Sequence, residues 1–203
     1  LKFGDKIDKY IKESLSFNRD ETTYENGQKV YCLSSSKILF EEATKYINKT
    51  LGMNSLVLSS QFEGEPKSLV QLYKKTIQEV SRSKNKVVKP VVILSGGEVE
   101  IKLPKNHGIG GRNSQFSLAL AKAIEGMEGV TALSADTDGI DGNGNNAGAI
   151  VDGFTFSVLR KYYSNVDPLK LYDSFNILKK SNSLFCTGPT GINLNDFRAV
   201  LVR

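Results

Sequence analysis

Tryptophan is absent, histidine occurs once (His107), and there are two cysteines and five prolines in 203 residues. Two cysteines far apart, Cys32 and Cys186, cannot frame a disulfide-rich scaffold or a four-cysteine zinc site. Both fall in stretches that read as buried strands, so structural thiols in a reducing, cytoplasmic compartment are expected. One histidine leaves no pair for a relay, and no partner lies at catalytic spacing from His107. No apolar run approaches the length of a membrane span and no signal-peptide pattern opens the chain, so no membrane partner is expected. Internal repeats, low-complexity tracts and heptads are also missing. The formal charge is +5, with lysines scattered rather than gathered into a stripe. That argues against nucleic acid and suits a small anionic ligand.

Hydrophobic residues make up 39% of the chain, enough for the core of one domain or two small ones. The densest signal lies between Gly108 and Gly153. Gly108-Ile-Gly110-Gly111-Arg112-Asn113 opens a helical stretch, and Asp136-Thr-Asp138-Gly-Ile-Asp141-Gly follows an apolar strand. A glycine loop that opens a helix aims N–H groups and a positive dipole end at an anion. Arg112 adds a forked permanent charge. Asp136, Asp138 and Asp141 are hard oxygen ligands of the kind magnesium takes. Together these are parts that phosphoryl transfer from a magnesium nucleotide needs.

The remainder alternates between helical and strand patterns. Phe3, Ile7, Ile11 and Leu15 predict a helix over 5–16, followed by a polar connection over 17–27. A strand at 29–33, a helix over 37–51 and an apolar strand at 56–58 read as a βαβ unit, with 56–58 buried on both faces. Ser34-Ser35-Ser36 either caps that helix or binds an anion. Pro66 starts a helix that runs to about Arg82, and Glu63 is either a group at the sheet's mouth or a helix-start acid. Residues 83–89 are a basic connector. A strand at 90–94, then Ser95-Gly96-Gly97-Glu98 and a half-exposed strand at 99–103, predict a hairpin or a kinked strand. Its glycines are a candidate backbone surface for a ligand.

A helix over 113–125 and a buried strand at 130–135 place Asp136 at a strand's carboxyl end, where open α/β sheets bind ligands. Residues 141–152 resemble a calcium loop in their first alternate oxygens. Asn146 replaces the required glycine and Asp152 the bidentate glutamate, so a turn is expected instead. A strand at 147–151, helices over 155–163, 168–172 and 174–180, and a strand at 197–202 complete the pattern. Thr187-Gly188-Pro-Thr190-Gly191 with Asn193, Asn195 and Asp196 is dense in polar groups between two apolar strands and reads as a functional loop. The fold class is α/β, with a mixed or mostly parallel sheet flanked by helices.

Four motifs stand in order: Ser95-Gly-Gly-Glu98; Gly110-Gly-Arg-Asn113 with Phe116 and Leu118-Ala-Leu120; Thr137-Asp-Gly-Ile-Asp-Gly142 with Ala147-Gly-Ala149 and Val151-Asp-Gly153; and Thr187-Gly-Pro-Thr-Gly191 with Asn193, Asn195 and Asp196. Together they resemble the carboxy-terminal part of the class II glycerate 2-kinase family, whose last domain is called MOFRL. Some members carry the older label hydroxypyruvate reductase. The resemblance implies residues 1–86 as the tail of a preceding Rossmann-like domain and 87–203 as a MOFRL-like domain. It implies ATP- and magnesium-dependent phosphorylation of D-glycerate to 2-phosphoglycerate in a cleft between two domains, with most of the amino-terminal domain preceding Leu1. Arg112 matches a candidate catalytic arginine of the family. Ser114-Gln115-Phe116 stands where the family often has Gln-Glu-Phe, which removes a carboxylate, and Ser34-Ser35-Ser36 stands for its Gly-Ser-Asn loop.

The expected catalytic residues are therefore Arg112, Asp136 and Asp138, with the two aspartates also as magnesium ligands. The expected substrate- and nucleotide-binding residues are Ser95, Gly96, Gly97, Glu98, Gly110, Gly111, Asn113, Asp141, Thr187, Gly188, Thr190, Gly191 and Asn193. Expected ligands are glycerate, ATP and Mg2+. A homodimer stays open, without an exposed apolar stripe to argue for it. The alternatives are a hydroxypyruvate reductase, a non-catalytic piece that binds an anion or its missing half, and a purely structural role for the glycines and aspartates. Against the reductase, Gly108-Ile-Gly-Gly-Arg-Asn lacks the last glycine of a dinucleotide fingerprint.

Overall fold

The computed structural model describes residues 21–23 and 29–31 as backbone strands and residues 34–82 and 88–203 in full. The helix expected over 5–16, Cys32 and most of the 83–89 connector lie outside the described residues. Strands β1 (Glu21–Thr23) and β2 (Lys29–Tyr31) pair antiparallel in a small sheet of their own. The strand expected at 29–33 is thus not the first arm of a βαβ unit. Helix α1 (Ser36–Lys45) follows, extended by a π-helical turn at Tyr46–Thr50. The serine run serves as its cap: the Ser35 hydroxyl accepts the Ile38 N–H at 3.3 Å.

Strand β3 (Asn54–Gly64), helix α2 (Pro66–Arg82) and strand β4 (Val91–Val99) form the βαβ unit, with β3 and β4 parallel. The unit begins two elements later than the sequence suggests, at β3 rather than at β2. β3 is an edge strand, so Leu56 and Val57 remain about 40% exposed rather than buried on both faces. Then come α3 (Arg112–Ala123), β5 (Val130–Asp136), β6 (Gly148–Asp152), α4 (Thr155–Arg160), a 3-10 turn (Pro168–Leu171), α5 (Ser174–Lys180), β7 (Leu184–Phe185) and β8 (Asp196–Val202). The six-stranded sheet has the order β3-β4-β8-β5-β6-β7. It is mixed, but β3 and β4 are its only parallel neighbours, because β8 enters from the far end and runs antiparallel between β4 and β5.

Alternation along the strands assigns the two faces. Ile93 of β4 and Val200 and Val202 of β8 pack under α2 and α3 with Leu69, Tyr73, Ile77, Phe116, Leu120 and Ile124. Val92 and Leu94, with Phe197, Ala199 and Leu201, pack under Phe40 and Ile47 from α1 and its extension. β4 is covered on both sides and therefore reads as an unbroken apolar run.

Ser95-Gly96-Gly97 makes no hairpin. β4 continues through it, and residues 100–103 are not a strand. Gly97 has φ +94, and a Cβ there would strike the backbone of Phe62 on β3. Cys186 lies just beyond the short β7 and is exposed, not a buried thiol.

Candidate active site

Register builds the site. Asp196, the first residue of β8, pairs with Gly97 near the end of β4 and with Asp136 at the end of β5. The carboxyl ends of two strands and the start of a third therefore meet at one point. Helix α3 begins there, and its first residue is Arg112.

The Arg112 guanidinium is held on three sides. Nε donates to Asp196 Oδ1 at 2.8 Å, Nη2 to Asp136 Oδ2 at 2.6 Å, and Nη1 meets Glu98 Oε1 at 2.6 Å. Asp196 is fully buried and Asp136 nearly so, whereas the Glu98 side chain is 50% exposed. Asn113 Nδ2 adds a bond to Asp196 Oδ1 at 2.7 Å, and Ser134 Oγ donates to Asn113 Oδ1 at 2.5 Å. Behind these lies Arg198, fully buried, which donates Nη2 to Asp196 Oδ2 and Nη1 to the Gly96 carbonyl at 3.3 Å. Its guanidinium stacks 5.3 Å from the Phe116 ring.

Two guanidiniums thus face three carboxylates. Burial, abetted by Asp196 and Asp138, pushes Asp136 up to about 6, against the opposing pull of the Asp138 N–H and Arg112. For Arg112, burial works against the charge, but Asp196, Asp136 and Glu98 outweigh it and raise its pKa above the ordinary value. Burial lowers Arg198, with Asp196 opposing.

Arg112 lies at one side of a cleft of about 360 Å³, lined also by Gly110, Gly111, Gln115, His107, Asn143 and Tyr172. His107 is exposed there, its Nδ1 2.9 Å from the Gly108 carbonyl.

The structure brings Arg112, Glu98, Asp136, Asn113, Gly110 and Gly111 together, and gives other expected site residues different work. Asp141 is 1% exposed and accepts the Asn113 and Ser114 N–H groups at 2.9 and 2.7 Å. It fills the helix N-terminus that the glycine loop suggested for an external anion. Burial raises its pKa against those bonds. Ser95, Gly96 and Gly97 are buried, with Ser95 Oγ accepting the Tyr73 hydroxyl at 2.8 Å, so they present no open backbone surface. Asp138 Oδ1 accepts the Ile140 N–H at 2.8 Å within its own turn.

Thr187, Gly188, Thr190, Gly191 and Asn193 form an exposed loop that lines none of the cleft. The loop is clipped onto the Asp136 turn: Thr190 Oγ1 donates to the Thr137 carbonyl at 2.5 Å, and its N–H to the Asp138 carbonyl at 2.9 Å. Asn193 Oδ1 accepts the Asn195 N–H at 2.9 Å.

Among the described residues, no three His, Cys, Asp or Glu side chains are grouped to hold a metal. Asp136 commits Oδ2 to Arg112 and Oδ1 to the Asp138 N–H at 3.3 Å. Asp136 thus spends both oxygens on donors within the protein, and Asp138 spends Oδ1 on its own turn. A magnesium carried by nucleotide phosphates needs only one or two protein carboxylates. Sequence reasoning placed Asp196 in a functional loop without assigning it to the site, and passed over Arg198. The available signal was two charges at alternate positions leading into the apolar strand at 197–202, on the face that the sheet buries.

The MOFRL family model matches residues 91–196, which contain the whole cluster but Arg198. The chain belongs to the MOFRL family. The D-glycerate 2-kinase of Thermotoga maritima is 34% identical over 198 residues, covering 96% of this chain and 46% of that protein. An Agrobacterium vitis protein carrying the name hydroxypyruvate reductase is 38% identical over 155 residues, 74% of this chain and 40% of its own length. The crystal structure of glycerate kinase from Thermotoga maritima superposes with a TM-score of 0.77 at 37% identity, covering 84% of this chain and 41% of that one. The chain thus spans less than half the length of these relatives. No helix among the described residues is long and apolar enough to cross a membrane.

Proposed function

We propose that this MOFRL chain is the carboxy-terminal part of an ATP-dependent kinase that phosphorylates D-glycerate to 2-phosphoglycerate, with magnesium carried on the nucleotide. The carrying observation is the Arg112 fork beside the cleft, oriented by buried carboxylates and met on its open side by an exchangeable one. Its relatives named glycerate 2-kinase supply the substrate class.

Arg112 keeps its pairs with Asp196 and Asp136, which fix the guanidinium plane. An incoming carboxylate or phosphoryl oxygen displaces the solvent-accessible Glu98 from Nη1. This requires little reorganisation, because an exposed ion pair contributes about 1 kcal/mol or less. Asp136, with its raised pKa, takes the proton of the glycerate hydroxyl. That oxygen bonds to the γ-phosphorus as the bond from the γ-phosphorus to the β,γ-bridging oxygen breaks and ADP leaves.

The preceding half of the protein completes the cleft. Residues 1–86 would close the Rossmann-like unit, joined to the MOFRL unit through the β3–β4 pairing. The enzyme would work in the cytoplasm. ADP release from D-glycerate, ATP and magnesium by the full-length protein, and its fall by about a hundredfold or more in Arg112→Ala, is the test. Full turnover by a folded Arg112→Ala protein would end the assignment. A second reading, reduction of hydroxypyruvate, draws on the name of the Agrobacterium vitis relative, and NADH oxidation with hydroxypyruvate distinguishes it.

A further inference from the structure

A second, larger groove of about 1000 Å³ runs between α2 and α3 and shares Ile101, Gln115 and Tyr172 with the Arg112 cleft. Helical spacing makes it. Lys67, Val70, Gln71 and Lys74 fall on one face of α2, and Gln115, Ala119, Lys122 and Ala123 on one face of α3. The two alanines leave room where larger side chains would close the helices together. Lys102 stands on a bounding loop and Lys170 on the 3-10 turn.

The lining therefore carries five lysines against two glutamates, Glu65 and Glu100. Only Lys122 is paired among the described residues, with Asp167 at 2.8 Å. Val70, Ala119, Ala123 and Leu169 supply an apolar floor. At the junction with the cleft, Gln115 donates Nε2 to the Leu169 carbonyl at 2.9 Å, while its buried Oε1 has no hydrogen-bond partner. A buried acceptor in this state is costly unless a ligand donates to it.

We propose that this groove is the nucleoside triphosphate site of the protein. The apolar floor takes the flat base, Gln115 Oε1 accepts a ribose hydroxyl, and the chain of phosphates runs past Lys67 and Lys102 toward Arg112. Lys67 is in the first turn of α2, where the helix's positive end adds to its charge. Lys102 adjoins Ile101, which lines both cavities. A groove of this volume matches one small ligand. The assignment rests on the kinase reading for the direction of the phosphates, but not for nucleotide binding itself.

The test is calorimetric titration of the full-length protein with ADP, alongside steady-state kinetics. Ala119→Trp fills the floor, and the double variant Lys67→Glu/Lys102→Glu reverses two exposed charges without touching the core. Each should weaken ADP binding by about tenfold or more and raise KM for ATP with KM for glycerate unchanged, and the charge variant should keep the parental melting temperature. ADP binding that is absent, or that both folded variants retain at parental strength, overturns the groove. Normal glycerate turnover with unchanged KM for ATP in both variants overturns it as well and leaves the kinase reading intact. Groove-dependent ADP binding without glycerate turnover supports the groove and removes glycerate as the acceptor.

Discussion

Arg198→Met tests the logic of the buried cluster most directly. Methionine keeps an unbranched chain against Phe116 and deletes the charge that Asp196 Oδ2 accepts. Asp196 and Arg198 are both fully buried, so solvent cannot replace the lost partner. Removing one member of a buried pair costs about 3–5 kcal/mol. Asp196 Oδ1 still accepts from Arg112 and Asn113, at 2.8 and 2.7 Å, which places the expected loss near the lower end, about 3 kcal/mol. For a unit of this size that is a fall in Tm of roughly 6–12 °C.

Thermal and urea unfolding followed by circular dichroism would read it. Adding Asp196→Asn to Arg198→Met removes the stranded charge, so the double variant should be more stable than the single Arg198→Met variant. Arg198→Met unfolding within about 2 °C of the parent would refute the claim that Asp196 depends on Arg198. A double variant weaker than both singles would refute the claim that the stranded charge causes the loss.

Other expectations follow from the same geometry. Asp136 protonates through about pH 6, and its pair with Arg112 weakens below that value, so kcat/KM of the full-length enzyme should fall on the acid side of about 6. Its effect on stability has the opposite sign. A carboxyl raised above its unfolded value stabilises fully below about pH 4, and that contribution is lost as pH rises through about 6. Asp136→Asn should therefore remove one downward step in stability between those values, and unchanged pH profiles in the variant would contradict the assignment. Asp141→Ala should cost about 1–2 kcal/mol by uncapping α3, measured as a lower urea midpoint. Gly97→Ala combines a φ of +94 with a clash against the Phe62 backbone and should lose at least about 2 kcal/mol, visible as poor soluble yield or a lowered Tm. A chelator should leave Tm unchanged while abolishing the turnover proposed to depend on magnesium; a lowered Tm would reveal a metal held by the protein itself.

The sequence by itself determined the local elements and the chemistry on offer. Pro66, the apolar period of α2 and the serine cap of α1 depend on interactions a few residues apart, and those spacings are readable along the chain. The motifs also sufficed to indicate the family and to single out Arg112, Asp136 and Glu98. Only the tertiary structure decided how these groups are used. Whether a strand has neighbours on both edges is a property of the sheet, so the exposure of Leu56 and the separation of β2 from β3 had no local signature. The same applies to Asp141, whose role as a cap depends on a turn meeting a helix start 28 residues earlier in the chain. It applies most strongly to Asp196 and Arg198, which matter because β8 inserts antiparallel between β4 and β5. Register then sets two charges on a buried face, where each needs the other.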